Sequence, residues 1–187
     1  SRRPRDHGAA VTDLQRHLGA RPYLLADHPD AGYNQRMTDL QGALGSAQMD
    51  RAKEIVLERQ NLAQRYDEAF AELDWLRTPF KHTDYEHGYQ SYPCLFMPRE
   101  VSPSSTEKIN SKRNEWMDDL QKKGISTRPA THAVHMLSFY KEKYGLMPAD
   151  FPSAFIADQG SISLPLFHGM EQSEQDFVIE KVLEYKS

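Results

Sequence analysis

An α/β or α+β fold is what this sequence predicts, on three observations. From Thr38 onward an apolar pattern of helical period continues for ~35 residues, well beyond the usual helix of about 11–12. Further along, an alternating segment, an amphipathic helical pattern and a second short extended segment follow one another, the strand, helix, strand order of a sheet covered by helices. The chain has 187 residues, 39% of them hydrophobic, which suits one globular domain or one and a half.

Residues 1–31 read as short and irregular. Positions 11–18 make two helical turns, after which Gly19, Pro22, Pro29 and Gly32 punctuate the segment. Thr38 is an expected N-cap with Asp39 behind it. Apolar residues then fall at Leu40, Ala43, Leu44 and Ala47, at Ala52, Ile55 and Val56, and at Leu62, Tyr66, Ala69, Phe70 and Leu73. That is one very long helix, or two with a bend within 49–53, and at 1.5 Å per residue it would extend about 52 Å. Such a helix bridges two domains or two subunits. Its small-residue face, Gly42, Ala43, Gly45, Ser46 and Ala47, predicts close approach of another backbone, because glycine in a helix costs about 1 kcal/mol that packing must offset.

Positions 89–97 alternate Tyr92, Cys94 and Phe96 with Ser91, Pro93 and Leu95, a strand whose proline predicts an edge or a bulge. A polar loop at 102–105 precedes a helix with Ile109, Arg113, Trp116, Met117 and Leu120 on one side, ending at Lys122-Lys123-Gly124. Positions 125–128 predict a short strand cut by Pro129. Loops, a short helix at 135–144 and another at 153–158 come next, then a strand at 161–166. Ser173 is the expected cap of a last helix with the stripe Phe177, Val178, Val182 and Leu183. There are no internal repeats.

Net charge is −4, with 23 Lys+Arg against 27 Asp+Glu spread through the chain. No basic face marks nucleic acid or an anionic membrane as a partner, so a small molecule or another protein is expected. The single cysteine, Cys94, rules out an internal disulfide framework, and no apolar run approaches the ~18 residues needed to span a bilayer. A reducing cytoplasm is the expected location. The N-terminus lacks the apolar core of a signal peptide and an initiator Met, as expected of a piece of a longer chain.

Two polar clusters carry candidate chemistry. Gly32-Tyr33-Asn34-Gln35-Arg36-Met37-Thr38-Asp39 opens the long helix; free N–H groups at a helix start bind anions, and Asn34 and Arg36 add an amide and a guanidinium suited to phosphate or carboxylate. The bland alternative is a capped helix with a surface arginine. In His132-Ala133-Val134-His135 the i, i+3 spacing can set two imidazoles on one helical face for a metal, or Arg128, Thr131, His132 and His135 can line a polar pocket. No carboxylate or thiolate supports the metal alternative. His82, Tyr85 and His87 read as a solvated loop and Cys94 as a core thiol. No phosphate-cradling glycine loop, nucleophile elbow or dinucleotide fingerprint is present.

The segment from Gly32 to Gly45 closely resembles G-Y-N-x-R-M-T-D-x-Q-A-A of the DegT/DnrJ/StrS sugar aminotransferases, which use pyridoxal phosphate. Gly124-Ile125-Ser126-Thr127-Arg128-Pro129, then Thr131-His132-Ala133-Val134-His135, then Leu164-Pro165-Leu166 with Gly169-Met170, resemble that family's C-terminal landmarks in order, and Asp6-His7-Gly8-Ala9 resembles its large-domain border.

The resemblance implies the C-terminal part of a fold-type I transferase. Residues 1–37 would be the tail of the large domain and an active-site turn, 38–76 the interdomain helix or helix pair, and 77–187 a small domain with a short mixed or antiparallel sheet flanked by helices. It also implies a homodimer with active sites at the subunit boundary. Asn34, Arg36 and Tyr33 would contact the cofactor, Asn34 holding the phosphate of the partner subunit's site. Arg128, Thr131, His132 and His135 would stand near the substrate mouth. Ala130 would stand where relatives often have a glycine or a larger side chain, so the resemblance does not fix the pocket's shape.

No catalytic residue is expected in this chain: none of its ten lysines lies in a matching motif, so the Schiff-base lysine is expected upstream of Ser1. A full-length enzyme would aminate a nucleotide-linked keto-sugar with glutamate or a similar donor, and this chain alone would be inactive. The alternatives are a non-catalytic module that retains the dimer and phosphate-contact surfaces, and a metal-dependent hydrolase on His132 and His135.

Overall fold

The computed structural model describes residues 32, 33, 35–97 and 104–185. Asn34, the expected turns at 11–18 and the Asp6-His7-Gly8-Ala9 stretch lie outside them. The chain divides into two compact units, Ser1–Ala52 and Lys53–Ser187.

The described part of the first unit is a turn leading into α1 (Asp39–Asp50). Thr38 caps it from extended backbone (φ −72°, ψ 160°). The Gln41 N–H donates to Thr38 Oγ1 at 3.3 Å while the Thr38 N–H donates to Gln41 Oε1 at 3.0 Å, a reciprocal box that occupies two donors a bare helix end would leave open. α1 buries none of its side chains. The close packing expected of its small-residue face is absent among the described residues, since a Cβ added to Gly42 or Gly45 would meet nothing within 4 Å. The long pattern is two helices, interrupted at Arg51 inside the expected 49–53 window.

The second unit is built on α2 (Ala52–Phe70), which buries Leu62, Ala63, Tyr66 and Phe70 at the spacing of one face. β1 (Leu76–Arg77), β2 (Tyr92–Phe96) and β3 (Ser161–Leu164) form an antiparallel sheet in that order. The proline-bearing strand is thus central, against the expectation of an edge. Pro93 faces Ser163, whose N–H donates to the Arg128 carbonyl at 2.7 Å and whose carbonyl accepts the Arg128 N–H. Ser163 therefore turns both backbone groups away from β2, and Pro93 stands in a pair that needs no N–H from it. On its other side, the two residues of β1 reach only Leu95 and Phe96. The ring sits where the central strand is locally an edge. The strand expected at 125–128 shrinks to the single Arg128–Ser163 bridge, because Gly124 (φ +85°) turns the chain and Pro129 supplies no donor.

α3 (Thr106–Lys122) buries Ile109, Arg113, Trp116 and Leu120 of the expected side, and Met117 packs against them only partly buried. It closes with the Gly124 N–H on the Gln121 carbonyl (3.0 Å) and the Ile125 N–H on the Leu120 carbonyl (2.9 Å), the paired bonds that a left-handed glycine after a helix permits. Trp116 is stacked on Phe96 at 5.4 Å and edge-on to Trp75 at 5.2 Å, the centre of an aromatic core.

A single 3-10 turn (Val134–Met136) and α4 (Ser138–Tyr144) replace the expected 135–144 helix. α5 (Pro152–Gly160) leads directly into β3. α6 (Gln172–Leu183) is capped by Glu171 with Glu174, not by Ser173, which lies inside its first turn. Its buried stripe is Gln175, Val178 and Val182, whereas Phe177 and Leu183 are 42% and 49% exposed. The rotation follows from Gln175, which donates to the Leu62 carbonyl at 2.7 Å and accepts from Arg65 at 2.6 Å, so an amide takes the place a larger apolar residue would fill.

Candidate functional site

The turn before α1 exposes Tyr33 and Arg36. Because the capping box takes up the Thr38 and Gln41 N–H groups, the helix end contributes fewer anion donors than its sequence suggests. What the turn offers an anion is chiefly side chain: the Arg36 guanidinium, whose fork matches phosphate or carboxylate oxygens, and the Tyr33 phenol.

The second cluster lies wholly within residues 128–135 of the other unit, and two tethers shape it. At one end Arg128 is clamped to β3 by the exchanged backbone bonds with Ser163, leaving its side chain exposed. At the other, the Ala133 N–H donates to Asp158 Oδ1 at 3.2 Å, and His132 Nδ1 lies 3.7 Å from the same oxygen with three quarters of its side chain in solvent. Asp158 is itself fixed from behind. Arg113, 4% exposed, donates to the carbonyls of Asp158 (2.9 Å) and Ser161 (3.0 Å). Burial lowers the proton affinity of that guanidinium and Asp158 opposes the shift, so its cationic form is retained.

Thr131 is exposed and, with Ala130, Pro93, Leu95 and Ile156, lines a cleft of about 570 Å³ beneath α5. His135 turns the other way: it is 6% exposed, its ring 5.1 Å from that of Phe151, and its Nε2 has no hydrogen-bond partner among the described residues. The two imidazoles therefore do not share a helical face. His132 precedes the 3-10 turn, and Ala133, buried between them, carries the inward direction. Among the described residues no group of three or more His, Cys, Asp or Glu side chains is disposed to hold a metal ion, and no helix is long and apolar enough to cross a membrane.

Cys94 is 1% exposed, and burial pushes its thiol well above the usual range, so it is a protonated core residue. Sequence reasoning missed a neighbouring network: the Tyr92 hydroxyl donates to Asp67 Oδ1 and the Lys81 ammonium pairs with Asp67 Oδ2, each at 2.5 Å. It also missed Glu58, which accepts the Gly169 N–H at 2.5 Å and pairs with His168, tying α2 to the loop after β3. Asp67 and Glu58 stand on the polar edge of an amphipathic helix, where carboxylates read as solvated until the partner loop is placed.

A sequence profile described as the DegT/DnrJ/EryC1/StrS aminotransferase family matches residues 2–183. The spore coat polysaccharide biosynthesis protein SpsC of Bacillus subtilis is 32% identical over 151 residues, 81% of this chain and 37% of its own length. The GDP-perosamine synthase of Caulobacter vibrioides is 27% identical over 175 residues, 93% of this chain and 44% of its own. Among solved structures, the putative sugar aminotransferase Spr1654 of Streptococcus pneumoniae in its apo form superposes with a TM-score of 0.74 at 24% identity, covering 96% of this chain and 40% of that one. It has also been solved in PMP and PLP forms, with TM-scores of 0.72 and 0.70. The chain thus spans about two fifths of the length of the curated relatives it matches.

Proposed function

This chain belongs to the DegT/DnrJ/EryC1/StrS aminotransferase family, and from that premise we propose that it forms the C-terminal part of a pyridoxal-phosphate-dependent enzyme that aminates a keto-sugar carried on a nucleotide, with glutamate or a similar amino acid as donor. The observation that carries this reading is the family match over residues 2–183, which takes in both the cationic turn and the 128–135 loop. The GDP-perosamine synthase relative supports the nucleotide-linked substrate, and the PLP form of Spr1654 supports the cofactor.

The cofactor, when bound, supplies the electron sink that amino-group transfer requires. The donor set of the turn fits its phosphate: Arg36 supplies a guanidinium for its oxygens and Tyr33 a phenol, while Asn34 lies outside the described residues. In the proposed homodimer these groups serve the partner subunit's site. Arg128 and His132, exposed on the tethered loop, meet anionic or hydroxyl groups of the substrate, and Thr131 lines the adjoining cleft. His135, buried against Phe151, gives the loop a rigid base with one imidazole nitrogen left for a ligand or water. The imine-forming lysine is proposed to come from sequence preceding Ser1, since none of the ten lysines here stands in the family's motif. On that reading this chain alone is inactive.

Titration of the full-length protein with pyridoxal phosphate, followed by absorbance and by borohydride trapping, tests the proposal. Trapped cofactor is expected on a lysine outside residues 1–187, and Arg36→Ala should weaken binding by about 1.5–3 kcal/mol, ten- to a hundredfold, with the fold intact. Unchanged affinity in Arg36→Ala removes its role, and trapping on one of the ten lysines here overturns the assignment.

A further inference from the structure

Residues 80–89, among which His82, Tyr85 and His87 read in sequence as a solvated loop, form one wall of a cleft of about 770 Å³ whose other wall is Gln60 and Gln64 of α2. The loop is held in shape at several points. Gln60 Nε2 donates to the His87 carbonyl at 3.1 Å, Arg59 donates to the carbonyls of Tyr89 (2.8 Å) and Gln90 (3.0 Å), and Lys81 is paired with Asp67. Tyr89 adopts φ +42°, a left-handed conformation costly for an aromatic residue and sustained here by the Arg59 clamp and the burial of its ring.

This frame lines the cleft with aromatic side chains. Phe80, His82 and Tyr85 follow one another with centroids 6.2 and 5.3 Å apart, and Phe80 and Tyr85 are 83% and 78% exposed although they line a concave surface. The polar inventory is fixed as well. His87 Nδ1 accepts the Tyr89 N–H at 2.9 Å, which places the proton of the neutral ring on Nε2. His82 Nδ1 faces the Asp84 N–H at 3.2 Å, nearer than the Asp84 carboxylate at 3.5 Å, and so presents its Nε2–H in the same way. Gln64 turns its Nε2 to Glu68 and leaves the amide oxygen as an acceptor the cleft can use.

The chemistry of these groups discriminates between ligand classes. An anion finds the one ammonium already committed to Asp67, with Asp84 and Glu86 lining the same cleft. A purely apolar ligand would strip water from two imidazole N–H groups and an amide oxygen without replacing it. A pyranose ring satisfies both demands, laying its C–H face on aromatic rings while its hydroxyls, each donor and acceptor, pair with imidazole and amide. We propose that this cleft is a carbohydrate-binding subsite for a pyranose ring. It depends on neither the cofactor nor the Arg36 turn, so it stands or falls separately from the aminotransferase reading.

Saturation-transfer NMR on the full-length protein without added cofactor tests it. Methyl glucopyranoside and maltotriose stand for a free saccharide, UDP-glucose for a nucleotide-linked one, and UDP is the control. Saturation of pyranose ring protons is expected with at least one sugar probe. Tyr85→Ala and Phe80→Ala, both at exposed positions that leave the core intact, should weaken it about tenfold, while Arg36→Ala keeps it. Transfer from the simple glycosides identifies a free saccharide as the ligand; transfer from UDP-glucose alone, not competed by UDP, identifies the nucleotide-linked source. The subsite is overturned if no sugar ring is saturated up to ~20 mM, if UDP competes fully, or if neither aromatic truncation alters the signal.

Discussion

Asp158 Oδ1 accepts the Ala133 backbone N–H at 3.2 Å, so a carboxylate on α5 sets the path of a loop 25 residues earlier in the chain. Asp158→Ala removes that acceptor and leaves a partly buried N–H unpaired. A loss of about 1.5–3 kcal/mol is expected, together with faster proteolysis within 131–135. Asp158→Asn retains an acceptor and should lose about 1 kcal/mol or less. Denaturant midpoints for the two variants decide the matter; two wild-type midpoints would mean that the loop is held by something else.

Gly124 closes α3 at φ +85°, and a Cβ built there would meet no atom within 4 Å. The cost of Gly124→Ala is therefore backbone strain, not a clash, and should come to about 1–2 kcal/mol. Because Ile125 donates to Leu120 only if the chain turns at Gly124, amide exchange at Ile125 should quicken in the variant. Unaltered exchange and stability would show that the helix end tolerates an L-residue there.

The helices were legible where an apolar period has no competitor, as in α3, where four of the five residues expected on the inner side are buried and the fifth, Met117, packs partly buried against the core. What escaped the sequence depended on partners far along the chain. Pro93 sits in a central strand because Ser163 is engaged by Arg128, 35 positions before it in sequence. Gln175 occupies a stripe position because it can reach Leu62 and Arg65. Ser173 lost the cap to Glu171 because Glu174 returns a hydrogen bond to the Glu171 N–H, a pairing that a Ser/Thr rule passes over. At the candidate site the cluster at 128–135 was evident from residue type, but the opposite orientations of His132 and His135 were set by Asp158 and Phe151, which no local spacing announces.

Alkaline pH should reveal the Asp67 network. The side-chain hydrogen bond to Asp67 is the main influence holding the Lys81 ammonium above its usual range, and burial, then Asp67, pushes the Tyr92 phenol upward. Both groups have folded values above their unfolded ones, so their contribution is complete below about pH 10 and is lost as pH rises through the folded values. Lys81→Met should be less stable than wild type by less than about 1 kcal/mol from pH 6 to 9, the Lys81 side chain being half exposed, and the gap should close above about pH 10.5. Phenolate absorbance of Tyr92 should appear only with unfolding. A gap that widens with pH would reverse the sign of this coupling.

Leu40 and Leu44 lie one helical turn apart on α1 and are 85% and 65% exposed, on a helix that buries nothing among the described residues. In this chain by itself, replacing either with glutamate should cost little, since Glu and Leu have similar helix propensity. If α1 lies in the proposed homodimer interface, the outcome is very different. A leucine buried there contributes about 1.5–3 kcal/mol, and a two-fold axis applies each substitution twice, so Leu44→Glu should weaken the full-length dimer by about 3–6 kcal/mol. Sedimentation velocity across a dilution series measures this directly, with circular dichroism confirming that the monomer stays folded. A Leu40→Glu/Leu44→Glu protein that sediments as wild type would place the subunit contact away from α1, and with it the proposal that Tyr33 and Arg36 serve a partner's site.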